Sequence, residues 1–454
     1  MSARFQHPSS LKSRRRSLPE SMPTTLLAKA REKGLDESLR LSGDIARATT
    51  ARLLGRGEQA FVFLSPPMNN SGAPQILMQI VEEFAGRSRS VRLLSPAIVP
   101  DLRERAEAQG VRVERAAAAL GPTLVGLQLA LRRDDFVLMN TVGVSRNYLM
   151  FIFDSLRTEK LARAHWYIHE DVDQIPVVAP FLLQPDFRSL IGQLVKQDRL
   201  SVLVPSHKVR TQYDNLFRTE KTKRLPFKIE LANNYTRPRP VGDYATLRFL
   251  MSGKPTDGRK GHLIALAAFH EFVKSYYERN PQAYRDFTLT LVGMTDDHIA
   301  EQIRSIGSTV LGKRLEGVSD VSHQEALEIT RRCNAVICCS FNEALPLYVI
   351  EGMSMGHIVL RNDAGGMEEQ LDEGVNGFRI DSRDVKQFAG VLEIVLNRQT
   401  TSDLRLQAMG RASQEMIANL RIASYAEAIG IRIGNRRLSP ELGPRLGLGE
   451  RARR

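Results

Sequence analysis

Short apolar runs recur along this chain, with longer amphipathic stretches between them. AFVFLS (60–65), SVRLLSP (90–96), FVLMNT (136–141), AHWYIHE (164–170), SVLVPS (201–206) and FKIELAN (227–233) are rich in β-branched and aromatic residues and predict strands. The intervening stretches, such as PQILMQIVEEFAG, repeat apolar residues at helical spacing. Strands alternating with helices in this way predict a parallel sheet covered on both faces. A polar stretch holding Pro238, Pro240 and Gly242 (234–247) reads as a linker. A second series then begins with LRFLMSG (247–253), FTLTLVG (287–293), AVICCS (335–340) and HIVLRND (357–363). The expected fold class is α/β, with two Rossmann-like domains, 56–238 and 239–425, facing each other across a cleft. Residues 1–55 read as a basic extension, disordered and then helical, and 426–454 as a basic Gly/Pro/Arg-rich tail.

Composition narrows the class. A chain of 454 residues exceeds one ordinary core. No run of 18 apolar residues occurs, so no membrane-spanning helix is expected, and the basic N-terminus lacks the apolar segment of a secretory leader. Three cysteines, Cys333, Cys338 and Cys339, point to a reducing compartment, and a cytoplasmic location is expected. The net charge is +13, but residues 1–25 and 431–454 carry nine of those charges. The body is therefore only mildly basic, which argues against nucleic acid as a partner. Basic tails suit an anionic membrane surface, and peripheral association at the inner face of the membrane, as well as they suit plain solvation.

The segment SFNEALPLYVIEGMSMGHIVLRNDAGGMEEQLDEGVNGF (340–378) holds the densest candidate chemistry. AVICCS reads as a buried strand, FNEALP as the loop at its carboxyl end, and LYVIEGMSMG as a helix entered at Pro346 and closed at Gly356. Glu343 then lies in the loop and Glu351 two helical turns further on. The backbone around Ala344, Leu345, Pro346 and Leu347 faces the same space and favours an anion. Gly365 and Gly366, one strand later, would let backbone approach a ligand closely. Together these features describe a strand-end site for an anionic molecule whose hydroxyls a carboxylate can grip.

This segment resembles the signature of the retaining glycosyltransferases of family 4, which have the two-domain GT-B fold. The shared pattern is a strand, E-x7-E around a proline-containing helix start, a strand, a Gly-Gly turn and DGVNGF. The resemblance implies that Glu343 contacts the donor sugar near the reacting centre, that Glu351 binds the ribose hydroxyls, and that amides of 344–347 meet sugar and diphosphate. It also implies a basic pair on the diphosphate, here SGKPTDGRKG, with Lys254 in place of the usual Arg and with Arg259 and Lys260 beside it. Backbone at Val318, in EGV, would read the nucleobase. His169, in YIHED, resembles the family's His-Glu and would donate a hydrogen bond to sugar or phosphate. Ser71 and Gly72 stand where the family's first loop enters a helix and would bind acceptor or phosphate.

The implied activity is transfer of a sugar from a UDP- or GDP-linked donor to an acceptor hydroxyl of a glycan or glycolipid, with retained configuration, no cofactor and no essential metal. The sequence leaves other proteins of the same fold open, among them an epimerase or a phosphorylase, and also a catalytically weak nucleotide-sugar-binding subunit of a glycan assembly complex.

Overall fold

The computed structural model describes residues 59–431, apart from 89, 116–130, 230, 232–234, 256, 257, 296 and 320. The basic extension and most of the basic tail lie outside the described residues, as does Glu230 to Asn234 save Leu231.

Thirteen strands form two sheets among the described residues. The first has the order β3-β2-β1-β4-β5-β6-β7, from β1 (Phe61–Leu64), β2 (Val91–Ser95), β3 (Arg112–Arg115), β4 (Phe136–Asn140), β5 (Ala164–Tyr167), β6 (Leu200–Val204) and β7 (Lys223–Arg224). The second has the order β10-β9-β8-β11-β12-β13, from β8 (Thr246–Ser252), β9 (Asp286–Val292), β10 (Leu315–Val318), β11 (Ala335–Cys338), β12 (Ile358–Arg361) and β13 (Gly377–Arg379). Every pair of neighbours is parallel. In each sheet the order reverses at the first strand, between β1 and β4 and between β8 and β11. The crevice at such a reversal, beyond the carboxyl ends of the strands, is where open α/β sheets take ligands.

The central strands are apolar because both of their faces are covered. FVFL in β1 and FVLMN in β4 are buried at every position. Helix Gly72–Ala85 closes one face of the first sheet, with Phe84 stacked on Phe136 at 4.9 Å. That apolar cluster does not stop at the domain boundary. It runs from Phe63 and Phe84 to Val349, Ile350 and Met353 of the second domain and on to Tyr425. Burial of this kind stabilises by roughly 25 cal/mol per Å² removed from water.

Two expected elements differ. FKIELAN is not a strand over Phe227–Ile229; the edge strand is β7, just before it. The Lys228 N–H donates to the Tyr425 hydroxyl at 2.9 Å, so the ladder is replaced by a side-chain contact. The expected tail from 426 begins inside a helix, Tyr425–Ile429, which packs back on the first domain. Glu83 accepts from the Ser424 hydroxyl and from the N–H groups of Tyr425 and Ala426, at 2.6–3.1 Å. The chain thus crosses from the second domain back to the first before residue 426.

Candidate active site between the two sheets

The carboxyl ends of strands from both sheets open on one cavity of about 540 Å³, a volume ordinary for small-molecule sites. Ser71, Gly72 and His169 line it from the first domain, and Lys254, Arg259, Lys260, Glu343 and Glu351 from the second.

Glu343 follows β11 in a loop tied down from both sides. The Phe341 N–H donates to the Arg259 carbonyl at 2.9 Å. Arg259 Nη1 returns a bond to the Asn342 carbonyl at 2.7 Å and reaches Glu343 Oε1 at 3.0 Å. Lys260 Nζ donates to the same oxygen. Gly253 makes room for Lys260: its φ is +139°, and a Cβ there would lie 2.8 Å from Lys260 Cε. Burial alone would raise the Glu343 carboxyl, but Lys260 and Arg259 outweigh it and hold it below the usual carboxylate range. Glu343 is therefore charged, and it neutralises the two cations expected to meet a diphosphate. Lys254 stands exposed on the cavity wall.

Glu351 sits on helix Leu347–Ser354, 8% exposed. Burial pushes its carboxyl up to about 8. Its Oε1 lies 3.4 Å from Nε2 of His323, the first residue of helix His323–Arg332 and a wall of the same cavity. Burial, with Arg105 of the first domain, pushes His323 down to about 4.

His169 follows β5. Its Nε2 is 3.0 Å from Asn140 Oδ1, at the end of β4. Asn140 Nδ2 is directed at Ser65 Oγ, 3.5 Å away, which leaves Oδ1 to accept from His169. The ring packs on Tyr167 and Phe227, at 4.1 and 6.1 Å between centroids. Burial pushes the imidazole down to about 3, so it is neutral with its hydrogen on Nε2. The expected donor role is corrected accordingly: Nε2–H is spent on Asn140, and Nδ1 can only accept. Glu170, beside it, accepts from the N–H groups of Val142 and His169 and holds the loop.

Other expected residues fall elsewhere. Ala344 is buried in the core of the first domain, not on the cavity wall, while Leu345, Pro346 and Leu347 line the cavity. Pro346 has no N–H, and its carbonyl accepts from Gln370 at 3.2 Å. Val318 ends β10, where its carbonyl accepts from Gly293 and Met294 at 3.1 and 3.0 Å; Val321 reaches the cavity in its place. Gly365 and Gly366 do admit a close backbone approach, but to protein. A Cβ on Gly365 would overlap the Glu343 carbonyl, and one on Gly366 the Ala344 carbonyl and Ser206. The turn buttresses the Glu343 loop from behind. Ser71 precedes helix Gly72–Ala85, with its N–H on Asn69 Oδ1 at 3.0 Å.

His323 and Asn140 were missed. For His323 the available signal was SHQE, a capping box that the structure forms between Ser322 and Glu325 and that fixes where the helix begins. For Asn140 it was one amide completing the otherwise apolar run FVLMN.

The fold is that of the GT-B proteins: two parallel α/β sheets facing across a ligand-sized cleft. Residues 247–416, most of the second domain, match the model of the family Glycosyl transferases group 1 and form a domain of that family. Among solved structures the chain is similar to Anabaena Alr3699/HepE in complex with UDP, with TM-score 0.62, 15% identity, and coverage of 80% of this chain and 95% of that one. It is also similar to sucrose-phosphate synthase from Thermosynechococcus elongatus, with TM-score 0.59, 15% identity and coverage of 82% and 96%. A curated relative, D-inositol 3-phosphate glycosyltransferase of Corynebacterium diphtheriae, is 27% identical over 176 residues. That stretch is 37% of this chain and spans only 38% of the relative's length. No helix among the described residues is long and apolar enough to cross a membrane.

Proposed function

We propose that the protein is a retaining glycosyltransferase that moves a sugar from a UDP- or GDP-linked donor to a hydroxyl of a glycan or glycolipid acceptor, in surface polysaccharide or glycolipid synthesis, without a metal or cofactor. The observation that carries the reading is the pair Glu343 and Glu351, set apart on one loop and helix, with Arg259 and Lys260 at the Glu343 end of a single cavity. The matched family domain and the UDP complex of the similar Anabaena protein support it.

In this reading the diphosphate draws Arg259 and Lys260 off Glu343, and Lys254 joins them from the rim. These cations stabilise the charge that develops on the leaving nucleoside diphosphate. The freed Glu343 carboxylate accepts from hydroxyls of the donor sugar, and Glu351 accepts from the ribose. His169, neutral, accepts a hydrogen bond through Nδ1 from a hydroxyl on the opposite wall. Closure of the two domains aligns the reactants and excludes water.

A thermal-shift screen against UDP, GDP, ADP and dTDP sugars, followed by donor hydrolysis with the best, tests the proposal. Stabilisation by none of them, with Glu351→Ala behaving as wild type, would defeat it. The non-catalytic subunit is favoured by one observation, the engagement of both cations by Glu343, and it predicts stabilisation without hydrolysis or transfer. Peripheral membrane attachment through the basic tails predicts sedimentation with anionic vesicles that is lost when residues 1–25 and 431–454 are removed.

A further inference from the structure

His323 has no part in the motif that places Glu351, yet it is the side chain set against that carboxylate. Its Nε2 is 3.4 Å from Oε1, and the two side chains are 26% and 11% exposed. They come from different helices, His323–Arg332 and Leu347–Ser354, and both line the cavity. The capping box at Ser322 and Glu325 fixes the start of the His323 helix and so the place of the ring. We propose that His323 is the proton partner of Glu351: when the carboxyl takes the hydroxyls of a ribose, its proton passes to His323 Nε2 and stays in the site. The inference rests on the nucleotide-sugar reading above.

The chemistry of the site favours such a step. An ionised carboxyl accepts from two vicinal hydroxyls through both of its oxygens, whereas a protonated one gives up part of that acceptor capacity to its own O–H. In the free protein Glu351 is held neutral by burial, and so is His323, so the pair holds one proton. Sending that proton to water would leave the buried anion without a counter-ion. Moving it across one contact leaves an ion pair: the Oε–H bond breaks, an Nε2–H bond forms, and the net charge of the pair stays zero. Few other charges reach the pair. Arg105, on the facing helix Pro100–Ala108, disfavours imidazolium. It is itself tied to Glu82, 2.9 Å away, and to Gln75, at 3.0 Å, both on helix Gly72–Ala85. On the pair's own helices, Glu325 is turned to Ser322, and the Tyr348 hydroxyl donates to the Ile337 carbonyl.

Calorimetric titration of the full chain with UDP, and with GDP in parallel, in two buffers of different ionisation enthalpy at pH 7 counts the protons released. The wild type should release about one proton fewer than His323→Gln, whose Glu351 proton has only water to go to; protons from the nucleotide itself cancel in the difference. Equal release from both proteins overturns the proposal. Nitrogen-15 spectra of wild-type histidines provide a measurement independent of the variant's folding. His323 should change from a neutral to an imidazolium pattern when the nucleotide is added, and a ring that stays neutral in the complex also overturns it. If neither nucleotide gives binding heat with the wild type, it is the nucleotide-sugar reading that has failed, and the inference fails with it.

Discussion

Asn140 Oδ1 lies 3.0 Å from His169 Nε2; Asn140 ends β4, paired in register to Tyr167, and His169 follows the parallel neighbour β5. The amide decides which ring nitrogen carries hydrogen. Replacing Asn140 with Asp puts a carboxylate in its place, and an opposite charge within hydrogen-bond reach favours imidazolium. The His169 pKa, about 3 in the native protein, should rise by at least one unit in Asn140→Asp, as read by a proton NMR titration of the ring. Sugar transfer should then gain a limb in its pH profile that the wild type lacks, because a protonated Nδ1 no longer accepts.

Glu343 engages Arg259 and Lys260, and in the proposed function it competes with the donor diphosphate for them. Glu343→Gln should therefore separate binding from turnover. Affinity for UDP or GDP should hold or rise, while the rate of transfer falls by roughly 100-fold, the scale of losing one group that acts on the transition state. Equilibrium binding and initial-rate assays on one preparation check both halves. A parallel loss of affinity and rate would remove Glu343 from the role given to it.

Glu351 makes stability depend on pH. Its carboxyl is pushed up to about 8 from an ordinary value of 4.5, so between those limits the folded chain holds a proton that the unfolded chain has lost. Stability therefore falls as pH rises, by about 1.4 kcal/mol per unit for one full proton. His323, pushed down to about 4 from 6.5, acts in the opposite sense below pH 6.5, where the unfolded chain binds the extra proton. The two slopes cancel up to about pH 6.5, and the fall due to Glu351 stands alone from there to about pH 8. Glu351→Gln should melt higher than wild type at pH 8 by a margin that shrinks at pH 6, as followed by circular dichroism.

Tyr425 ties the return helix to the first domain. Its hydroxyl accepts from the Lys228 N–H at 2.9 Å and bonds Gln79 Oε1 at 3.1 Å, and its ring is fully buried. Tyr425→Phe takes away the hydroxyl that accepts from the Lys228 N–H and should cost about 1–3 kcal/mol, and Tyr425→Ala, which opens a cavity, about 3–5 kcal/mol. Urea unfolding of each variant measures the difference.

The sequence alone determined the central strands, the alternation with helices and the loop that carries Glu343. All of these follow from short-range patterns: a strand covered on both faces must be apolar throughout, as FVFL and AVIC are. The sheet edges escaped because that rule lapses there. RVER in β3 and LEGV in β10 pair on one side only and remain largely open to solvent, so they carry no apolar run. The strand, loop and helix read around Glu343 and Glu351 likewise put both glutamates on the cavity.

What each glutamate faces was settled only by the tertiary structure. Lys260 and Arg259 lie more than eighty residues from Glu343, and His323 lies on a different helix from Glu351. One carboxyl is charged and the other neutral because cations surround the first, while apolar burial and a neutral ring surround the second. Such surroundings are assembled by sheet topology, which brings strand ends together regardless of their distance along the chain. The same holds for the Gly-Gly turn, which is a buttress and not a ligand contact because folding sets the 343–344 backbone against it.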